Sequence, residues 1–78
     1  SELSFDANRI FFRPGDPGDR AYLLHAGRVE LTGGPDGRGP RTGLYGPGDV
    51  FGEMSLIEER PHRAAARAVE AGAASSLT

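Results

Sequence analysis

Leu44-Tyr45-Gly46-Pro47-Gly48-Asp49-Val50-Phe51-Gly52-Glu53-Met54-Ser55-Leu56-Ile57 is the stretch on which the fold turns. A weak strand over Thr42 to Tyr45 stops at Gly46-Pro47-Gly48-Asp49, where proline fixes φ, glycine admits positive φ and aspartate bonds its own backbone. Val50 and Phe51 return the chain briefly to extended structure before Gly52. From Glu53 to Glu59 strong helix formers take over, with Met54 and Ile57 at helical spacing. One short helix is predicted there, with Met54, Leu56 and Ile57 in the core and Pro61 as its stop.

Upstream, Arg9-Ile10-Phe11-Phe12-Arg13 reads as a strand that ends at Pro14-Gly15-Asp16-Pro17-Gly18-Asp19, an ordered turn. Ala21 to His25 and Arg28 to Thr32 read as a β-hairpin around Gly27. Gly33 to Arg41 holds four glycines and no large apolar residue, so it is expected to be an exposed loop that does not pack, the most mobile segment. Downstream, Ala64 to Val69 is expected to be a small-residue strand in this β context, although its alanine-rich composition would also make a helix. Ser1 to Ala7, where Leu3 and Phe5 alternate with polar residues, and Ala71 to Thr78 are assigned no structure. The tripeptide Pro-Gly-Asp occurs at 14, 17 and 47 with unlike flanks, which makes similar corners and not repeated domains.

The bulk composition agrees with a mainly β fold of one domain. A chain of 78 residues buries only about 60% of its unfolded surface, so its stability is marginal. Its 12 glycines and 6 prolines punctuate it at intervals that suit short strands. The net charge is -2, and the nine basic residues, all arginine, are scattered, which argues against a nucleic-acid groove. Without cysteine there is neither a disulfide framework nor a thiolate metal site, and a reducing cytoplasm is the expected location. No apolar run approaches the roughly 20 residues of a membrane helix, so no membrane contact is expected from this domain.

Three stretches resemble the cyclic-nucleotide-binding domain family, the module of the catabolite activator protein, of cAMP-dependent kinase regulatory subunits and of cyclic-nucleotide-gated channels. Phe12 to Leu24 with Gly27-Arg28-Val29-Glu30 is similar to the family's front hairpins, and Leu44 to Ile57 to its phosphate-binding cassette. Arg60-Pro61-His62-Arg63-Ala64-Ala65-Ala66-Arg67-Ala68 is similar to the cassette's exit strand. The resemblance implies a jelly-roll β-barrel of eight strands (a double-stranded β-helix) with one short helix in the cassette, spanning 1–78 as a single domain. It also implies a C-terminal lid helix, which this chain, ending at Thr78, is expected to lack.

The resemblance further implies a ligand, cAMP or cGMP, held by Phe51, Gly52, Glu53, Met54, Ser55, Leu56, His62, Arg63 and Ala64, with no cofactor or metal. Gly52 would let backbone approach the ligand. Glu53 would accept a hydrogen bond from the ribose 2'-hydroxyl, and first-turn amides of Met54, Ser55 and Leu56 would face the phosphate. The family's phosphate arginine has two registers here. Anchoring on Arg67-Ala68 puts His62 at that position, whereas anchoring on Arg63-Ala64 puts Arg63 there and Arg67 where an inward apolar side chain belongs. A planar, permanently charged fork suits phosphate better than a mostly neutral imidazole, so Arg63 is favoured, reached through a bulge or shifted turn after Pro61. Arg60 and Arg67 are expected to be surface charges and His25 a structural histidine.

The function implied is a non-enzymatic sensor that couples cyclic-nucleotide binding, cAMP before cGMP because Ala64 offers no hydroxyl, to an attached output region or a homo-oligomer. A second reading is a degenerate module of the same fold used for protein contacts. A third is a cupin-type metal enzyme on a similar jelly roll, which needs about three imidazoles and a carboxylate around one metal. His25 and His62 are the only histidines and are not spaced as a motif. No nucleophile, base and orienting group assemble from the remaining residues.

Overall fold

The computed structural model describes residues 2–77; Ser1 and Thr78, the outermost residues of the two segments given no structure above, lie outside them. Among the described residues the elements are β1 (Glu2–Phe5), β2 (Ile10–Phe12), β3 (Ala21–Thr32), β4 (Arg41–Tyr45), β5 (Val50–Phe51), α1 (Glu53–Glu58) and β6 (Ala65–Leu77). None of them is a helix long and apolar enough to cross a membrane.

The two long strands, β3 of 12 residues and β6 of 13, pair antiparallel from Ala21 opposite Leu77 to Thr32 opposite Ala65. The other strands add to one of these two: β1 and β2 to β6, β4 and β5 to β3. Register shifts between Leu24 and Val29 divide the long ladder into halves. One half is flanked by β1 and β5, the other by β2 and β4. The outcome is a jelly roll of two antiparallel layers, in which β3 and β6 each pass from one layer to the other. Counting each long strand twice recovers the eight strands implied by the resemblance.

The core lies between the layers and is largely aromatic. Phe51 is fully buried, and its ring meets Phe11, Tyr22 and Tyr45 at centroid distances of 5.2, 5.2 and 6.0 Å. Phe5 of β1 meets Phe11 of β2 edge-on at 5.0 Å, so the alternation of Leu3 and Phe5 marks a strand after all. Such edge-to-face pairs add about 0.5–1.5 kcal/mol each beyond area burial. Leu24, Val29 and the small residues Ala66, Ala68 and Ala74 fill the remaining space without exposure.

Gly27 is a bulge and not the tip of a hairpin. It takes a φ of 91° inside the continuous strand β3, where the chain crosses between layers. Opposite it, a Cβ on Gly72 would lie 1.9 Å from the Ala26 carbonyl oxygen, so the crossing demands glycine on β6 as well. Residues 71–77, assigned no structure from sequence, are therefore strand: pairing to β1 on one side and β3 on the other outweighs the weak β propensity of alanine, serine and glycine.

The Pro14-Gly15-Asp16 and Pro47-Gly48-Asp49 corners are the same turn. Gly15 and Gly48 both have φ 92°. In each, the aspartate carboxylate accepts a backbone N–H three residues earlier at 2.9 Å, from Arg13 and from Gly46. Pro17-Gly18-Asp19 differs, because Gly18 is the seat of α1: a Cβ there would meet the Arg60 carbonyl oxygen at 2.1 Å and Ser55 Cβ at 2.7 Å.

Helix α1 ends before Pro61, at Glu59, which adopts left-handed φ 55° while the Arg60 N–H donates to the Ser55 carbonyl at 3.1 Å. The helix buries no residue completely, and Met54 and Ile57 are 58% and 70% exposed, which overturns their assignment to the core. A six-residue helix seated on Gly18 offers one narrow inner seam, and these two residues lie outside it. The glycine-rich loop after β3 is mostly exposed yet does pack. The Thr32 hydroxyl donates to the Gly37 carbonyl, and Gly37 lies so close to Ala65 that a Cβ would come within 2.6 Å of the alanine methyl.

Arg67, expected as a surface charge, is held instead by Glu30, which is buried. Its Nε and Nη2 donate to Glu30 Oε2 at 2.9 and 2.6 Å, while Arg41 Nε donates to Oε1 at 3.0 Å. The hydrogen bond from Arg67 holds the Glu30 carboxyl below its ordinary range against the opposing effect of burial.

Gly72→Ala is expected to lower the unfolding free energy by about 3 kcal/mol in urea titration, since ladder atoms must separate to admit the methyl group. Gly46→Ala, with nothing within 4 Å of the added atom, is expected to change it by no more than about 0.5 kcal/mol.

Candidate functional site

Three elements converge beside β4. β5 delivers Gly52, α1 follows it, and the chain returns from α1 through Pro61, His62 and Arg63 to enter β6. Between them lies a cleft of about 290 Å³ whose lining includes Gly52, Glu53, Met54, Ser55, His62, Arg63 and Ala64. Seven of the nine residues singled out from sequence are thus brought together.

Phe51 and Leu56 do not line the cleft. The Phe51 side chain alternates inward from β5 into the aromatic core. Leu56 lies on the other side of α1, where it lines a hollow with Pro17, Gly18 and Pro61. Phe12, Leu31, Tyr45, Glu58 and Pro61 complete the cleft and were not singled out from sequence. Two of them had a local signal. Glu58 follows Ser55 by three and Met54 by four residues, the spacing of one helix face. Tyr45 follows Gly43 by two in β4, and that glycine makes room for it: a Cβ on Gly43 would lie 2.8 Å from the Tyr45 hydroxyl.

Gly52 caps the helix with φ 80° and lies against two stacked rings, Phe12 and His62. A Cβ on Gly52 would come within 3.1 Å of Phe12 and 3.5 Å of His62, so glycine is required by packing as well as by φ. The His62 imidazole lies parallel to the Phe12 ring at 3.6 Å and is 5% exposed. Its backbone is fastened to the first corner, its N–H donating to the Asp16 carbonyl at 2.9 Å and its carbonyl accepting the Gly15 N–H at 2.8 Å. Burial lowers the His62 pKa, an effect that the charges of Asp16 and Asp19 oppose. His62 is therefore a neutral strut beneath the cleft, and the chain leaves it with Arg63 exposed at the rim.

Arg63 is the one arginine of the lining, which also includes Glu53 and Glu58, and it forms no ion pair among the described residues. Burial, followed by the charges of Glu53 and Asp49, pushes the Tyr45 phenol up, which keeps it a neutral donor at the wall. The register shift expected after Pro61 lies elsewhere. Ile10 pairs with Arg67 and Phe12 with Ala66, so the extra residue is Phe11 in β2, while Arg63 and Ala64 form a plain bend before β6. The two histidines are separately engaged, His25 with the Ser75 hydroxyl at 2.6 Å and His62 with Phe12. Among the described residues no three His, Cys, Asp or Glu side chains gather as a metal would require.

Comparison with known proteins bears on this arrangement. The Cyclic AMP receptor protein of Thermus thermophilus is 47% identical over 75 residues, 87% of this chain and 35% of that protein. The CRP-like cAMP-activated global transcriptional regulator of Mycobacterium tuberculosis is 34% identical over 68 residues, 86% of this chain and 30% of that one. The chain thus spans about a third of these relatives. Among solved structures, the EAL enzyme Bd1971 in its cGMP-bound form superposes with a TM-score of 0.90 at 32% identity, covering 100% of this chain and 21% of the enzyme. The family model of the cyclic nucleotide-binding domain matches residues 2–78, and the chain belongs to that family.

Proposed function

We propose that the cleft binds a cyclic nucleotide, cAMP in preference to cGMP, and that the domain reports its occupancy to an output region in a longer protein. The observation that carries this reading is the gathering of Glu53 and Arg63 around one cleft. A cyclic nucleotide offers a hydroxyl donor on its ribose and a single anionic phosphate. Glu53 accepts the 2'-hydroxyl in a charge-assisted hydrogen bond, and the Arg63 fork takes two phosphate oxygens. The Met54 and Ser55 amides, which have no acceptor within the helix, complete the phosphate contact. The cleft volume of about 290 Å³ is near the lower end of ligand pockets, about 300–1,000 Å³, which suits a ligand of this size. Ala64 in the lining has no hydroxyl to offer a guanine, which supports the preference for cAMP.

The domain itself is not catalytic on this reading. The regulated part is elsewhere, as the whole-protein names of its relatives suggest: a transcriptional regulator in one and an EAL enzyme in another. The scattered arginines support a domain that leaves nucleic-acid contact to such a region. A protein-contact module without nucleotide is the second reading, favoured by the exposed Met54 and Ile57 beside the cleft.

Calorimetric titration of the domain with cAMP and cGMP tests both. Wild type is expected to bind, Arg63→Ala to lose about 100-fold or more and Glu53→Ala about tenfold, while His62→Phe stays within about threefold because it preserves the stack on Phe12. Absence of heat at millimolar ligand would overturn the reading, as would equal binding by Arg63→Ala.

Stability should depend on pH through His62. Its folded pKa is depressed, so the unfolded chain binds the proton more readily, and stability is complete above the ordinary imidazole value of about 6.5 and declines as pH falls through it. Thermal unfolding between about pH 5 and 7.5 is expected to show a shallower slope for His62→Phe than for wild type. Parallel slopes would contradict a buried neutral imidazole.

A further inference from the structure

We propose that Glu30, through Arg67 and Arg41, is the positioning device that fixes the entry of β6 in the register carrying Arg63 into the cleft. The inference rests on the reading of the cleft given under Proposed function. It begins from a weakness in the sequence. β6 is entered through Ala64-Ala65-Ala66, three identical methyl side chains, and Ala68 follows Arg67. A run of one small residue fills space equally well after sliding, so packing alone specifies its register poorly. Register matters here because Arg63 stands immediately before this run, next to a histidine that cannot replace its charge.

Arg67 is the first long side chain of the strand, and it is locked. It lies directly opposite Glu30 in the β3–β6 ladder and opposite Ile10 in the β2–β6 ladder. Both Glu30 oxygens are engaged, Oε2 by Arg67 Nε and Nη2 and Oε1 by Arg41 at 3.0 Å, and the third Arg67 nitrogen, Nη1, donates to the Asn8 side-chain carbonyl. One carboxylate thus ties β3, β4 and β6, and Arg67 extends the tie to the turn between β1 and β2. A slip by one residue would send Arg67 to the face where Ala66 and Ala68 are fully buried. A slip by two would keep its face but leave a buried carboxylate short of a partner, and an unpaired buried charge is strongly disfavoured. The long ion-paired residue supplies the register that the alanines do not.

The experiment is a double-mutant cycle of Glu30→Gln with Arg63→Ala, with cAMP as the probe and NMR titration so that millimolar affinities remain measurable. Glu30→Gln is expected to weaken cAMP by roughly 3- to 30-fold when Arg63 is present and by less than about twofold in the Arg63→Ala background. Equal losses in the two backgrounds, or no loss with Arg63 present, would overturn the proposal. A second readout needs no ligand: amide hydrogen exchange at Ala64 to Ala66 is expected to accelerate in Glu30→Gln, with β1 and β5 unchanged. Faster exchange throughout the molecule, or none at the β6 entry, would overturn it as well. Failure of wild type to bind cAMP would sink the functional reading, and the exchange result would still decide the clamp. Should Glu30→Gln fail to fold, Arg41→Gln, which removes one of the two partners at an exposed position, runs through the same cycle.

Discussion

The pairing of β3 with β6 is the constraint on which the rest of the structure depends. Among the described residues these two strands alone are common to both layers, and the other four each reach the fold through one of them. A ladder that passes between layers must turn its pleat over in the middle, and the turning point admits little side-chain volume. That is why Gly27 and Gly72 face each other there, with Ala26, Ala71 and Ala73 beside them. The fold concentrates its smallest residues where two backbones come closest and its largest, the phenylalanines and tyrosines, where the layers separate to make a core.

The cleft hangs from the second half of that ladder. Its floor includes Leu31 of β3, its wall Tyr45 of β4, and its far rim is the segment that becomes β6. Helix α1 is attached to the frame by few contacts, among them Gly18 under Ser55 and Arg60, and Gly52 against the Phe12–His62 stack. This gives a site with a rigid back and a lightly seated front, and no α1 side chain is completely buried. A short helix held by a few contacts has a low cost of displacement, and a regulatory element is drawn from that end of the stability range. The first corner serves both parts, since the Pro14-Gly15-Asp16 turn fastens His62 through two backbone hydrogen bonds while Gly18 seats the helix.

Local chemistry was legible in the sequence, and distant pairing was not. The two Pro-Gly-Asp corners and the short helix follow from residues within a few positions of one another. At Gly27 the sequence is ambiguous, because a bulge and a hairpin both ask for a glycine between β-prone segments, and only the partner strand decides between them. Residues 71–77 carry little local signal because alanine and serine have little β propensity of their own, and their strand comes from neighbours on both sides. Met54 and Ile57 satisfy a helical spacing, but any pair three apart does so, and a six-residue helix does not require that spacing to face inward. The anchoring of β6 could not be read nearby either, since the partner of Arg67 is Glu30, 37 positions away.

That separation also explains why two arginines of one strand entry have unlike fates. Glu30 and Leu31 are adjacent in β3 and point to opposite faces, Leu31 into the cleft and Glu30 into a hollow with Arg67 and Thr32. On the proposed reading of the cleft, a bare carboxylate one strand thickness behind it would repel a phosphate through poorly screening protein, and it would also compete for the nearest arginine. Two guanidiniums on Glu30 reverse that field, leaving the group with a net positive charge. Arg67 and Arg41 thereby satisfy the buried acid from behind, and Arg63, with no such claim on it, keeps its fork at the cleft. The acid fixes where the strand begins, and its neutralisation leaves the neighbouring face fit for an anion.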